Sequence, residues 1–248
     1  MHQSEEKQKM PEDNANRRIE SALLCETNDA MESWRIFKIM AEFVSGFDLL
    51  RQYGRAVTFF GSARSDFGDK IYQQTHELSG RLSKAGFTII TGGGGGSMEA
   101  ANRGAYESGG KSVGLNIELP REQILNKYVT HSQGFHYFFT RKVMLAFASE
   151  VYVFMPGGFG TLDEFFELAT LIQTKKIQPL PLVLVGRDYW EPLLNWINTK
   201  VYVEYKSIDA EDMKIYHLVD SVEEAYETII RLSSEFQERK AAICAVEP

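Results

Sequence analysis

Cysteine is almost missing from this 248-residue chain, which has only Cys25 and Cys244. Two thiols near opposite ends form neither a disulfide framework nor a cysteine-built zinc site, and their expected state is reduced. The five histidines show no HxxxH or HExxH spacing, so no metal and no other cofactor is expected. No uncharged apolar run of about 18 residues occurs, and the opening MHQSEEKQKMPEDNANRR has no apolar signal core. No membrane association is therefore expected, and the expected location is cytoplasmic. An excess of positive charge is also missing: 27 Lys and Arg face 34 Asp and Glu, a formal net charge of −7. Binding nucleic acid through its phosphates needs a basic surface, so no nucleic-acid partner is expected.

What is present suits a packed globular protein, with 44% apolar and 25% charged residues. Residues 1–30 are polar and charged, and read as a flexible tail. A single domain is expected over residues 31–240, followed by a short tail over 241–248. It opens with an amphipathic helix over 31–52, because Phe37, Met40, Val44 and Phe47 recur at three- and four-residue steps. That helix should pack on the core or on a partner subunit.

After Gly54 short apolar runs alternate with longer amphipathic stretches, as strands alternate with crossover helices. The runs are AVTFFGS, FTIITGG, KSVGLNI, VYVFMPG, LPLVLVG and, more weakly, KIYHLV. Most are continuously apolar, which suits parallel strands covered on both faces. The expected fold is a Rossmann-like α/β domain, with a doubly wound, mostly parallel sheet flanked by helices. Three strands run into glycine turns, at Gly61, at Gly92 to Gly96, and at Gly157, Gly158 and Gly160. In an open parallel sheet such turns lie at the carboxyl edge and converge on one ligand site.

The segment TGGGGGSMEAANRGA is either a flexible loop or a cradle where backbone approaches a ligand closely. Glu99 either complements the helix dipole or contacts a ribose hydroxyl or base amine. In PGGFGTLDE, Gly157, Gly158 and Gly160 leave N–H groups unshielded, and Thr161 is placed to cap the next helix, so a phosphate should fit. Glu164 reads either as a capping-box residue reaching back to Thr161 or as a carboxylate that stabilises a cationic sugar. Asp163 reads as solvated. Arg141, in a helix feeding the fourth apolar run, suits a phosphate or carboxylate.

FFGSAR, GGGGGSMEAANRGA, FFTRK, PGGFGTLDEFFE and LATLIQTKKI, followed by LVLVGRDYW, together resemble the LONELY GUY family. Its members are cytokinin riboside 5′-monophosphate phosphoribohydrolases, formerly labelled lysine decarboxylases. The resemblance implies a Rossmann-like homodimer or larger assembly that cleaves the N-glycosidic bond of a nucleoside 5′-monophosphate, such as AMP or an N6-substituted AMP. Arg141 and Glu164 stand at the family's catalytic positions. The substrate-binding set becomes Gly157, Gly158, Gly160 and Thr161 for the phosphate, Ser62, Gly94 and Glu99 for the nucleoside, and Lys142 beside Arg141. The chain departs from the family pattern in its tail up to about Asn28 and at Gly95, where many members have proline.

Pyridoxal-dependent decarboxylation is disfavoured, because no lysine in these loops has a Schiff-base context. Two other classes remain: a non-catalytic carrier of a nucleotide or of molybdenum cofactor on the same fold, and a single-stranded DNA-processing module. The first has no need of the Arg141 and Glu164 pair, and the second lacks a basic aromatic strip.

Overall fold

The computed structural model describes residues 29–118 and 125–244, so the expected tail over 1–30 lies almost entirely outside the described residues. The chain divides into two compact units, one up to Ala41 and one from Glu42 onward. The first helix, α1 (Asp29–Leu50), crosses that division. In its first half Trp34, Phe37 and Met40 are exposed, with the Trp34 and Phe37 rings edge to face.

From Glu42 onward the unit is built on one sheet of seven strands, all parallel. In chain order they are β1 (Ala56–Phe60), β2 (Thr88–Thr91), β3 (Ser112–Ile117), β4 (His131–Phe135), β5 (Val151–Phe154), β6 (Leu182–Val185) and β7 (Tyr216–Val219). Their spatial order is β4-β3-β2-β1-β5-β6-β7. Between β1 and β5 the order reverses direction, which leaves a crevice at the carboxyl ends of those two strands.

The continuous apolar runs follow from the two cores this sheet separates. Val57, Phe59, Val151, Val153, Val183 and Val185 point into one core. There they meet Leu78 and Leu82 of α2 (Lys70–Lys84), Ala101 and Ala105 of α3 (Ser97–Glu107), and Ala225 and Ile229 of α7 (Val222–Cys244). Their strand neighbours Phe60, Tyr152, Phe154, Leu182 and Leu184 point into the other. That core holds Met144 and Leu145 of α4 (Phe138–Ala146), Phe165 and Leu168 of α5 (Phe159–Gln173), and Trp190 of α6 (Arg187–Trp196). Side chains alternate across a strand, so a strand buried on both faces reads as a near-continuous apolar run. Each such side chain contributes about 1.5–3 kcal/mol on burial.

The second half of α1 joins the core of Met144 through Leu50. Gly46 sits so close to α4 that a Cβ there would meet Met144 Sδ at 2.5 Å. Val44 is exposed, so it does not take the core position its spacing allowed. The final helix continues through Cys244, beyond the boundary expected near residue 240. No described helix is long and apolar enough to cross a membrane. Among the described residues no group of three or more His, Cys, Asp or Glu is arranged to hold a metal ion.

Candidate active site

Three loops at the carboxyl edge are stitched together by their backbones. The Ser62 N–H, just past β1, donates to Pro156 O after β5 at 3.1 Å, and Ser62 O accepts from Ser97 N–H at the start of α3 at 2.8 Å. The close approach demands glycine at two points. Gly96 has φ of 65°, and a Cβ on it would lie 2.2 Å from the Ser62 carbonyl oxygen. A Cβ on Gly157 would meet Thr161 Oγ1 at 2.1 Å and the Gly61 backbone at 3.0 Å.

Buried Asn126 braces the glycine loop from beneath. Its side-chain amide donates to Gly93 O at 3.2 Å, to Gly94 O at 3.0 Å and to Asn102 Oδ1 at 2.9 Å. Thr91 Oγ1 also donates to Asn102 Oδ1, at 2.6 Å, while accepting from Gly93 N–H at 2.9 Å. These bonds satisfy the Gly93 and Gly94 carbonyls and hold the shape of the loop.

Helix α4 carries Arg141 and Lys142, and a side chain from α1 sets its start. Glu42 accepts from the His136 N–H at 2.8 Å and the Tyr137 N–H at 3.4 Å, and it also accepts from the Thr140 hydroxyl. A carboxylate at a helix N-terminus satisfies orphan N–H groups and complements the dipole. One turn further on, Arg141 Nε donates to Leu115 O at 2.8 Å. Its guanidinium passes over Gly92, where a Cβ would sit 2.2 Å from Nη2.

Helix α5 begins earlier than its sequence suggests. Phe159 is its first residue, Gly158 flanks it, and the Gly158 carbonyl accepts from the Thr161 and Leu162 N–H groups at 3.0 and 3.2 Å. Thr161 is therefore inside the first turn and does not cap the helix, and Glu164 lies in the second turn, out of capping-box register. The reason is that a glycine-rich entry can turn into helix two residues before the first good capping side chain. No side chain caps this end and its first turn has no acidic residue, which leaves a positive helix terminus open to an anion.

These elements enclose a cleft of about 920 Å³. Ser62, Arg141, Gly157, Gly158, Gly160, Thr161 and Glu164 all line it. Gly94 and Glu99 do not: the Gly94 carbonyl is held by Asn126, and Glu99 accepts from Tyr72 OH at 3.3 Å. Nor does Lys142, which pairs with Asp163 at 2.6 Å, Glu167 at 2.9 Å and Glu164 at 3.5 Å. Sequence reasoning missed Glu42, Asn126, Met98, Phe138 and Tyr189. Tyr189, whose hydroxyl donates to Gly157 O at 2.7 Å, lies in the first turn of α6, just past the carboxyl end of β6, and that position was the available signal.

Opposite charges are held in this cleft in an environment that penalises both. Burial pushes the Glu164 carboxyl up to about 7; Lys142 pulls it down, Glu167 and Asp163 push it up, and Arg141 pulls it down again. Burial likewise draws the Arg141 guanidinium below the usual arginine range, with Glu164 opposing the change.

A parallel α/β sheet with a glycine-lined cleft at its switch point defines a Rossmann-like fold class. Within that class, the family model described as "Possible lysine decarboxylase" matches residues 98–229, more than half of the chain, which belongs to this family, that of the LONELY GUY proteins. A probable cytokinin riboside 5′-monophosphate phosphoribohydrolase of Oryza sativa subsp. japonica is 30% identical over 162 residues, 63% of this chain and 64% of that protein. The chain thus covers less than two thirds of that relative's length. The cytokinin riboside 5′-monophosphate phosphoribohydrolase of Rhodococcoides fascians is 27% identical over 58% of this chain and 74% of its own. Among solved structures, the molybdenum cofactor binding protein of Rippkaea orientalis matches with a TM-score of 0.53 at 20% identity, over 71% of this chain and 94% of that one. The molybdenum cofactor carrier protein of Chlamydomonas reinhardtii matches with a TM-score of 0.53 at 19% identity, over 73% and 98%. These two likenesses establish the fold.

Proposed function

We propose that this chain hydrolyses the N-glycosidic bond of a nucleoside 5′-monophosphate, AMP or an N6-substituted AMP, to free base and ribose 5-phosphate. The observation that carries the reading is a half-buried Arg141 and a buried Glu164 lining the same cleft as the uncapped glycine start of α5. In this reading the 5′-phosphate binds the N–H groups of that helix end and the Thr161 hydroxyl, and so positions the ribose. As the C1′–N bond breaks, its electron pair leaves with the base and C1′ gains positive charge, which the Glu164 carboxylate stabilises. A water oxygen then bonds to C1′, and one water proton ends on the departing base. A carboxyl raised towards 7 is matched to receiving that proton on the way. Arg141 orients the phosphoribosyl group against Glu164.

The names of the relatives support the reaction class, and the uncapped helix end supports the phosphate requirement. The test is incubation with a panel of nucleoside monophosphates and with adenosine, following released base by chromatography. Base release from a monophosphate, with adenosine turned over at least about a hundredfold less efficiently, is expected because the phosphate supplies the positioning energy. Tight binding of monophosphates with no base released from any would overturn the reading in favour of a carrier. The active form in this proposal is a homodimer, supported by the exposed Phe138, Phe139 and Phe147 on and beside α4 and Phe166 on α5.

A further inference from the structure

Lys142 stands beside the candidate catalytic arginine, yet it does not line the cleft. Three carboxylates of α5 surround it, with Asp163 Oδ2 at 2.6 Å, Glu167 Oε2 at 2.9 Å and Glu164 Oε1 at 3.5 Å. The ammonium donates a hydrogen bond to Asp163 and is ion-paired with Glu167 and Glu164, so its charge is already engaged by three acids. Burial alone would depress its pKa, but the bonds to Asp163 and Glu167 and the nearness of Glu164 hold it above the usual lysine range.

We propose that Lys142 is a positioning residue that keeps Glu164 ionised and fixed in orientation, and that it makes no contact with the substrate phosphate. Asp163 and Glu167 hold the ammonium in place, so that α4 and α5 are clamped together at the point where each supplies a group to the cleft. Glu164 is faced by Arg141 and Lys142 from α4, by Asp163 and Glu167 from its own helix, and by Tyr152 from β5. Of the two cations, Arg141 is already spent on Leu115 O and the cleft, and Lys142 is the one in ion-pair contact. Moving an opposite charge away from a buried carboxylate raises its pKa, and removing a like charge lowers it.

The role of Glu164 in turnover rests on the function proposed above, so the test reads the carboxyl itself as well as the rate. The Glu164 carboxyl is titrated in the unliganded protein by carbon-13 NMR, assigned by its loss in Glu164→Gln, in Lys142→Met, Lys142→Arg and Glu167→Gln. Lys142→Met should raise the midpoint by about one pH unit, Glu167→Gln should lower it by a similar amount, and Lys142→Arg should leave it nearly in place. The acid limb of kcat should follow the same order, with KM changing by less than about threefold in Lys142→Arg and Lys142→Met. An unmoved midpoint in Lys142→Met, or shifts of the same sign in Lys142→Met and Glu167→Gln, would overturn the assignment. A KM rise of about tenfold without a midpoint shift would give Lys142 to the phosphate and overturn it too. Should Lys142→Met fail to fold, Glu167→Gln and Lys142→Arg still decide the matter by direction. Midpoints that move as stated, with no base released from any monophosphate, would uphold this assignment and refute the function.

Discussion

Replacing Gly92 by alanine should produce a stable protein with little activity. Gly92 does not have a left-handed backbone, so alanine is acceptable there on conformational grounds. The obstacle is spatial, because the new Cβ would sit 2.2 Å from Arg141 Nη2 and 2.9 Å from Met98 Sδ. Both atoms are ends of flexible side chains, and the guanidinium must retreat by roughly an ångström to regain ordinary contact, which begins at 3.4 Å. A retreat of that size is cheap for the fold, about 1 kcal/mol, at the low end of overpacking costs. It is costly for chemistry, since a misplacement of about 1 Å can cost about a hundredfold in rate. The assay is kcat/KM for base release beside thermal melting of the same preparation. Gly95→Ala is the control, because Gly95 is exposed and its Cβ would meet nothing nearer than Ala63 O at 3.6 Å. A folded Gly92→Ala protein with activity within about threefold of the unmodified chain would refute the placement of Arg141 in the reaction.

Glu164→Gln should lower kcat by about a hundredfold or more with nucleotide affinity retained, measured by single-turnover kinetics and calorimetric titration. It should also change the pH dependence of stability. Because the folded carboxyl titrates near 7 and not near 4.5, the folded state holds a proton that the unfolded chain has lost, and stability falls as pH rises across that window. Glu164→Gln should therefore melt above the unmodified protein at pH 8 and level with it near pH 4, by about 2–4 °C for each kcal/mol of relief. Glu42→Gln should cost about 1–2 kcal/mol in denaturant unfolding by weakening the start of α4, and should slow turnover through Arg141. Unchanged stability in Glu42→Gln would mean that water serves those N–H groups equally well.

How far the sequence reached depends on the distance over which each feature is encoded. Five strands were legible because burial on both faces writes itself as near-continuous apolar runs, and the edge strand β7, with only Val219 buried, was legible only weakly. Strand β4, HSQGF, was not: it lies at the sheet edge with one neighbour, His131 and Ser132 are exposed, and only Phe135 is buried. The glycine loops and the residues Arg141 and Glu164 are local motifs, and they do meet in one cleft. Glu42 and Asn126 act on partners 94 to 98 and 24 to 33 residues away, and no local pattern marks a carboxylate or amide that will brace a distant turn. The start of α5 was misplaced because Thr161 is a better capping residue than Gly158, whereas the loop is pinned by the Gly157 contact to Gly61 and enters the helix before Thr161 is reached.

The placing of Glu164 bears on whether the cleft binds or reacts. A site that only holds a phosphorylated ligand gains from cations and N–H groups and loses from a nearby carboxylate. Two like charges about 6 Å apart repel by on the order of 3 kcal/mol at an effective dielectric near 20. Desolvating the carboxylate adds to that cost, and the rise of its pKa towards 7 records it. A carrier has nothing to set against either cost. In a ribosyl-cleaving site the same charge is attractive once the sugar becomes cationic, so a cost to the bound ground state becomes stabilisation of the transition state. Arg141 and Lys142 limit the ground-state cost by keeping the cluster near charge balance, which lets Glu164 stay beside an anion site without forcing it empty. On this argument the ionised carboxylate should weaken nucleotide binding while speeding reaction, so Glu164→Gln should bind AMP somewhat more tightly than the unmodified chain at pH 8. Weaker binding by that variant, in a protein that melts normally, would refute the reasoning.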